Sequence, residues 1–176
     1  RLILFPKSLL MSTRPLNVLF VCTGNSARSI MAEALLAHFG GHSFQAFSAG
    51  SQPKGEVNPL AISTLRQLRI STDGLRSKSW DEFAQPQAPA LDFILTVCDR
   101  AAGEACPVWP GQPVTAQWGI PDPAAVLGNE EQRAKAFLDT ATLLKRRIQL
   151  MLNLPLDKLE RMSLQREIDR IGQTKV

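Results

Sequence analysis

The chain has 176 residues, 44% of them hydrophobic and 20% charged, which is enough for one globular domain with a sizeable core. Its 20 Lys and Arg residues against 16 Asp and Glu residues give a net charge of +4 that is spread along the chain. This mild basicity does not indicate a nucleic-acid-binding protein, and it suits a small anionic ligand. Three cysteines, without a secretory signal or a membrane-spanning apolar run, predict a cytoplasmic protein with reduced thiols.

The chain is interpreted as one domain with an extension at each end. Residues 1–15 begin without Met and hold a short apolar run that Pro6 interrupts, so we expect an N-terminal extension that makes at most an incidental contact. Residues 16–154 form the domain. Residues 155–176 form a C-terminal amphipathic helical extension that packs on the body or on a partner.

One junction organises the domain. Residues 18–21 are a dense apolar run typical of a buried parallel strand, and apolar residues recur at helical spacing over 30–36. The loop between them reads Cys22-Thr23-Gly24-Asn25-Ser26-Ala27-Arg28-Ser29. A short Cys-x5-Arg pattern occurs by chance, and a strand-end Cys is often inert packing. A preceding strand, a following helix and an internal Gly-Asn pair favour a functional loop.

The residue types of this loop predict a site for a tetrahedral oxyanion. Gly24 and Asn25 readily adopt left-handed backbone angles, which direct successive N–H groups into one concavity. Arg28 can bind two oxygens of the anion at once. We expect the loop dipoles and Arg28 to favour the thiolate of Cys22, and Ser29 to donate a hydrogen bond to its sulfur. A thiolate beneath a bound oxyanion is a nucleophile.

The remaining elements follow in alternation. The patterns predict strands over 43–48, 93–97 and 114–118, a helix from Pro59, a short helical turn over 80–83, a long helix from about 128 that Pro155 closes, and a last amphipathic segment over 156–171. The long helix presents an apolar face made of Phe137, Ala141, Leu144, Ile148 and Met151. The last segment has apolar residues at Leu159, Met162, Leu164, Ile168 and Ile171.

This alternation predicts an α/β fold with a small, about four-stranded parallel sheet and helices on both faces. Ligands of such sheets bind beyond the carboxyl ends of the strands. Cys22, Cys98 and Asp122 each follow a predicted strand at that edge, so we expect these three groups to meet there.

Over residues 16–152 the sequence resembles the low-molecular-weight protein tyrosine phosphatases, and among them the thiol-dependent arsenate reductases. The resemblance rests on residues 18–29, on Phe47-Ser48-Ala49-Gly50 and on Trp118-Gly119-Ile120-Pro121-Asp122-Pro123. The phosphatases usually carry an aromatic residue after Asp-Pro, whereas Ala124 stands here and the chain has no Tyr. Cys98 and Cys106 resemble the reductase redox segment, with seven intervening residues, one more than the usual pattern.

The resemblance implies a reaction and its residues. Arsenate binds to Thr23, Gly24, Asn25, Ser26, Ala27 and Arg28, with Asn25 and Ser26 chiefly maintaining the loop. Cys22 attacks arsenic with the help of Ser29, and Asp122 donates a proton to the departing oxygen. Cys98 then attacks Cys22, and Cys106 attacks Cys98. The resemblance also implies no tightly bound cofactor, reduction by thioredoxin or by glutaredoxin with glutathione, and a monomer or weak dimer. A potassium ion near Asn25, Glu33 and Ser48 is a further implication.

Several alternatives stay open. The protein could be a phosphomonoesterase that uses Cys22, Arg28 and Asp122 with the other cysteines as bystanders, or an anion-sensing domain without turnover. Asp122 could be only the cap of a helical turn, and Cys106 an inert residue before a proline. A straight helix over 98–106 would hold its end Cα atoms about 12 Å apart. A disulfide requires about 7 Å or less. The relay therefore requires this segment to unwind.

Overall fold

The computed structural model describes residues 14–98, 107 and 109–175, which form a four-stranded sheet with helices packed on it. The strands are β1 (Leu16–Cys22), β2 (Phe44–Gly50), β3 (Phe93–Thr96) and β4 (Val114–Gln117). Their spatial order is β2-β1-β3-β4, and every neighbouring pair is parallel. The predicted parallel α/β fold is confirmed. All four carboxyl ends lie at one edge, so the loops that follow β1, β3 and β4 converge there.

Four helices and three short 3₁₀ turns connect the strands in the described part of the chain. The helices are α1 (Arg28–Phe39), α2 (Pro59–Gln67), α3 (Glu130–Leu152) and α4 (Arg161–Ile171), and the turns are Gly41–Ser43, Trp80–Phe83 and Pro123–Ala125. α3 packs against α1 and α2, and α4 packs against β4. Among the described helices, none is both long and apolar enough to cross a membrane.

The core lies between the sheet and α3. The five apolar residues predicted for the inner face of this helix, from Phe137 to Met151, are all fully buried. They belong to the same buried cluster as Phe20 of β1, whose ring packs against that of Trp118 at a centroid distance of 6.4 Å. α3 begins where the sequence predicts, because Asn129 and Gln132 form a reciprocal capping box around its first turn.

The last helix is shorter than predicted, and the prediction of its apolar face was wrong at one residue, Met162. α4 starts at Arg161 rather than near residue 156, because the chain makes turns after Pro155. Ile168 and Ile171 are buried, whereas Met162 is 77% exposed. At 100° per residue Met162 lies on the opposite side of the helix from Ile171, so the helix cannot bury both.

A buried arginine joins the C-terminal extension to the edge where the loops converge. Arg147 on α3 donates to the carbonyl oxygens of Trp118 at 2.8 Å and Thr174 at 3.1 Å. The Trp118 indole N–H donates to the carbonyl of Ile168 in α4 at 3.0 Å. These bonds fix the chain at Trp118, just after β4 and four residues before Asp122.

Candidate active site

The loop from Cys22 to Arg28 has the left-handed turn that the sequence predicts. Asn25 has a φ of 42° and is fully buried. The loop also lies directly against Gly50 at the end of β2. A Cβ atom at Gly50 would stand 2.5 Å from the Thr23 carbonyl oxygen and 3.0 Å from the Asn25 nitrogen. Only glycine permits this approach of two backbones, so the Ser-Ala-Gly sequence at the end of β2 is a condition for the loop.

The segment after β2 pairs with the carbonyl groups of the loop. The N–H groups of Ser51, Gln52, Lys54 and Asn58 donate to the carbonyls of residues 22, 23, 24 and 26, at 2.9 to 3.2 Å. The negative ends of four peptide dipoles in the loop are therefore neutralised by protein donors. With these carbonyls paired, the loop and the N-terminus of helix α1, which starts at Arg28, together favour a bound anion.

The buried side chain of Asn25 holds the loop together. Its amide nitrogen donates to Ser29 Oγ at 2.9 Å and to Ser48 Oγ at 3.0 Å, and its oxygen accepts from the Lys78 N–H at 2.8 Å. Each polar atom of the amide thus has a partner on a different element. Since the Ser29 oxygen already accepts from Asn25, its own hydroxyl proton is available to the sulfur of Cys22, 2.9 Å away.

Cys22 is buried at the floor of the loop, with a raised pKa. Its sulfur accepts the Asn25 N–H at 3.1 Å. A hydrogen bond with Cys98 and burial raise the pKa of Cys22 well above its usual value, against lowering contributions from Ser29 and Asn25. The loop donors do favour the thiolate, as expected, but Cys98 and burial outweigh them in this arrangement. The physical reason is the second sulfur, which competes with the loop donors in a desolvated pocket.

Cys98 lies directly beside Cys22, as the convergence of strand ends predicts. Its side chain is 1% exposed, and its proximity raises the pKa of Cys22. The hydroxyl of Thr23 lies 3.7 Å from the Cys98 sulfur. Cys22 and Cys98 are not joined to each other by a disulfide bond. Cys106, the third cysteine of the predicted relay, lies outside the described residues.

Arg28 and Asp122 form the opposite wall of the site. The Arg28 guanidinium donates to the Ile120 carbonyl at 2.9 Å and lies 3.7 Å from a carboxylate oxygen of Asp122. The other Asp122 oxygen accepts the Ala124 N–H at 3.0 Å, which caps the turn that follows. Asp122 therefore makes the capping contact left open above. Its side chain is also 40% exposed and faces Arg28, so the same carboxyl remains accessible from the cleft.

These groups line one cleft of about 520 Å³. Its lining comprises the loop from Cys22 to Arg28, Gln52, Lys54, Ile120, Pro121, Asp122 and Ala124. None of these described lining residues is aromatic, so a phenyl ring would find no stacking partner on them. The positive charge of Arg28 and Lys54 suits an oxyanion.

The implied potassium site does not fit the residues present. Glu33 and Ser48 do lie together, with the Ser48 hydroxyl donating to the carboxylate at 3.2 Å. The position beside them is occupied by the ammonium group of Lys78, 3.5 Å from Ser48 Oγ and 3.8 Å from a Glu33 oxygen. Among the described residues, no cluster of three or more His, Cys, Asp or Glu side chains could hold a metal ion. Lys78 therefore stands where the resemblance implies a potassium ion.

Sequence reasoning missed three residues that shape this site. Gly50 enters the sequence analysis only as part of the resemblance, and Lys78 and Arg147 do not enter it. Gly50 alone had a signal, since a glycine at a strand end opposite a functional loop indicates close backbone approach. The burial of Lys78 and Arg147 depends on contacts between distant segments, which a single sequence does not display.

Comparison with known proteins gives a consistent result. Residues 17–167 match the family model described as low molecular weight phosphotyrosine protein phosphatase. The arsenate reductase of Bacillus subtilis (strain 168) is 34% identical over 120 residues, which cover 68% of this chain and 83% of that protein.

Two solved structures are also similar. An arsenate reductase in the phosphate binding state has 26% identity and a TM-score of 0.63, over 78% of this chain and 96% of that one. A thioredoxin-dependent arsenate reductase of Corynebacterium glutamicum has 25% identity and a TM-score of 0.53, over 79% of this chain. The match spans 64% of that protein's length. Because the family model covers most of the sequence, this chain belongs to the low molecular weight phosphotyrosine protein phosphatase family.

Proposed function

We propose that this protein is an arsenate reductase that uses the adjacent thiols of Cys22 and Cys98 to deliver two electrons to a bound arsenate. The observation that carries the proposal is the position of a second buried cysteine, Cys98, at the floor of the oxyanion loop. Its sulfur lies 3.7 Å from the Thr23 hydroxyl and is the first cause of the raised pKa of Cys22. Hydrolysis of a phosphate ester requires one nucleophilic thiol. Reduction of As(V) to As(III) consumes two electrons, which two thiols supply when they form a disulfide.

The first step is nucleophilic. Arsenate binds to the N–H groups of loop residues 23–28 and to Arg28, which exchanges its bond to the Ile120 carbonyl for the anion. The Cys22 sulfur attacks arsenic as a thiolate, with Ser29 donating to the sulfur. One arsenate oxygen leaves as water with a proton from Asp122, and a Cys22–As(V) thioester-like adduct remains.

The second step is the redox step. The Cys98 thiolate attacks the Cys22 sulfur, an S–S bond forms, and the S–As bond breaks with its electron pair remaining on arsenic. Arsenic is thereby reduced to arsenite, and the two thiols are oxidised to the Cys22–Cys98 disulfide. The contact between the two sulfurs supports this direction of attack, because it requires little movement of either strand end.

Recovery of the reduced protein completes the cycle. Cys106 attacks Cys98, releases the Cys22 thiol and forms a Cys98–Cys106 disulfide. A thioredoxin then reduces this disulfide. The support for thioredoxin is the similar Corynebacterium glutamicum reductase, which is described as thioredoxin-dependent. Glutaredoxin with glutathione is the alternative reductant.

The test counts thiols. Reduced protein is mixed with arsenate, and free thiols and arsenite are measured before and after. We expect a loss of two thiols per arsenite released. In a Cys106→Ser variant the reaction should stop after one turnover with a Cys22–Cys98 disulfide, which peptide mass spectrometry identifies. Cys98→Ser should release no arsenite. Unchanged thiols in the parent protein would contradict the proposal.

The same variants test the alternative, a phosphomonoesterase. If the parent, Cys98→Ser and Cys106→Ser proteins hydrolyse p-nitrophenyl phosphate equally well and none of them reduces arsenate, then only Cys22, Arg28 and Asp122 act. The protein would then be a phosphatase. The family description supports this reading, whereas the non-aromatic cleft disfavours an aryl phosphate.

The role of Asp122 requires a separate variant. Asp122→Asn keeps an oxygen that can accept the Ala124 N–H, so the turn is preserved, but it cannot donate a carboxyl proton. We expect a fall in kcat of about 100-fold, the size usual for loss of a general acid. The thermal midpoint should change little. Equal activity of parent and variant would leave Asp122 only its capping role.

A further inference from the structure

Lys78 is a buried cation beneath the oxyanion loop. The residue is 7% exposed, although lysine rarely lies so deep without a purpose or a partner. An ammonium group has three N–H donors. Three oxygen atoms surround this one, namely the Arg76 carbonyl at 3.1 Å, Ser48 Oγ at 3.5 Å and a Glu33 carboxylate oxygen at 3.8 Å. Carbonyl, hydroxyl and carboxylate oxygens are also the ligands of hard metal cations.

This cation is connected to the candidate nucleophile by an unbroken series of hydrogen bonds. Glu33 accepts from Ser48, Ser48 accepts from the Asn25 amide, and that amide also donates to Ser29. Ser29 in turn contacts the Cys22 sulfur at 2.9 Å. The backbone of Lys78 contributes a second connection, since its N–H donates to the Asn25 side-chain oxygen. The backbone N–H and the ammonium group of Lys78 are therefore both connected to Asn25, which fixes the conformation of the loop.

We propose that Lys78 is a positioning residue. Its ammonium group is a monovalent cation that belongs to the chain, and it performs the task that a bound potassium ion would otherwise perform. Lys78 and Glu33 form a neutral pair that keeps Ser48 and Asn25 in place. A protein with this pair requires no free potassium, and removal of the ammonium group creates that requirement.

Burial explains why the position needs a cation. Desolvation raises the pKa of Glu33, and the charge of Lys78 acts against this shift. Desolvation likewise lowers the pKa of Lys78, and Glu33 acts against it. Without the ammonium group, Glu33 would take up a proton or turn towards solvent, because an unpaired carboxylate is costly in a buried position. Ser48 would then lose its charged acceptor, and Asn25 would be held less firmly.

The experiment replaces the cation. In Lys78→Ala, loss of the butylammonium chain leaves space for a free ion beside Glu33. Thermal midpoints and the affinity for inorganic phosphate are measured in KCl, NaCl and choline chloride at equal ionic strength. We expect Lys78→Ala in choline chloride to bind phosphate roughly tenfold more weakly than the parent, a size usual for loss of an outer partner of a site. KCl should restore most of the affinity and raise the midpoint by several degrees, and NaCl should do less.

Two controls separate this effect from general salt effects. The parent protein should be indifferent to the choice of KCl or NaCl. Lys135→Ala removes an exposed ammonium group that pairs with Asp139 on α3, and it should also be indifferent. In a Glu33→Gln/Lys78→Met double variant both charges are absent, so we expect a folded protein with weakened phosphate binding and no response to potassium.

Three results would overturn the proposal. They are a potassium-specific stabilisation of the parent, a Lys78→Ala protein that remains unfolded or weakly binding in KCl, and a potassium response of the double variant. The readouts are phosphate affinity and thermal stability, which do not involve arsenate. Failure of the arsenate assay would therefore leave this inference standing, and its own failure would leave the reductase proposal standing.

Discussion

The two walls of the cleft are built by different means. The loop wall, residues 22–29, is held by hydrogen bonds from β2, from the segment that follows it and from Lys78, and its side chains are almost entirely buried. The acid wall, residues 118–122, is held from behind by Arg147 and by α4, and its carboxyl is 40% exposed. The loop wall must present backbone groups in one geometry, whereas the acid wall must bring one carboxyl to a ligand.

The two walls also differ in the source of their rigidity. Each wall is supported by a glycine on another segment that packs closely against it or against the residue before it, Gly50 for the loop wall and Gly172 for the acid wall. Gly50 meets the loop itself. Gly172, at the end of α4, meets the Gln117 carbonyl and the Trp118 side chain, which lie several residues before Asp122. A substitution at Gly50 should therefore affect oxyanion binding directly. A substitution at Gly172 should affect it only through Gln117 and Trp118.

The largest effect is expected from Gly50→Ala. The new methyl group would lie 2.5 Å from the Thr23 oxygen and 3.0 Å from the Asn25 nitrogen, both backbone atoms, so the loop must move. A displacement of about 1 Å in a site can cost about 100-fold in rate. We expect at least that loss in kcat/KM, together with a loss of phosphate binding measured by calorimetry.

Gly24→Ala and Gly172→Ala are the matched comparisons. A methyl group at Gly24 would meet only the flexible Lys54 side chain, at 3.3 Å, so its effect on phosphate binding should be much smaller. Gly172→Ala should lower the thermal midpoint while phosphate affinity stays near that of the parent. If Gly172→Ala abolished phosphate binding in a folded protein, the two walls would not be independent.

The second largest effect is expected from Arg147→Met, which removes the brace of the acid wall. The side chain serves the carbonyls of Trp118, Gly119 and Thr174, and burial lowers the pKa of its guanidinium. A buried carbonyl that loses its donor costs about 1–3 kcal/mol. We therefore expect the free energy of unfolding to fall by about 3 kcal/mol. Urea denaturation measures it.

Arg146→Met is the control for this prediction, because Arg146 is the exposed neighbour on the same helix and should change stability by less than about 0.5 kcal/mol. In the Arg147 variant, kcat should fall more than phosphate affinity does, since the loop wall keeps its own bonds. Parallel falls of both quantities would mean that the brace also supports the loop.

Much of this fold follows from local patterns in the sequence. Dense apolar runs, the helical spacing of apolar residues in α3 and a proline at the start of α2 located the strands and helices, because each signal acts within a few residues. The end of the chain was less predictable. The start of α4 and the exposure of Met162 depend on how this helix meets β4, which is a tertiary contact.

The site divides in the same way. The loop and the meeting of Cys22, Cys98 and Asp122 followed from strand ends in a parallel sheet, which topology alone dictates. The raised pKa of Cys22 and the lysine in place of a free cation did not follow. Both depend on which side chains share a desolvated pocket, and that requires distances between segments that are far apart in sequence.

The smallest expected effect concerns the contact that joins the two walls, that of Cys22 with Cys98. The Cys98 sulfur is the largest cause of the raised pKa of Cys22, ahead of burial. In Cys98→Ala the loop donors Ser29 and Asn25 remain, so the pKa of Cys22 should fall and more thiolate should be present at neutral pH. Alkylation of Cys22 by iodoacetamide, followed by peptide mass spectrometry across a pH series, should shift to lower pH relative to the parent. Cys106→Ala serves as the control for loss of a thiol as such. An unchanged or higher midpoint in Cys98→Ala would mean that burial alone sets the reactivity of the nucleophile, and that Cys98 contributes to the site only when it attacks.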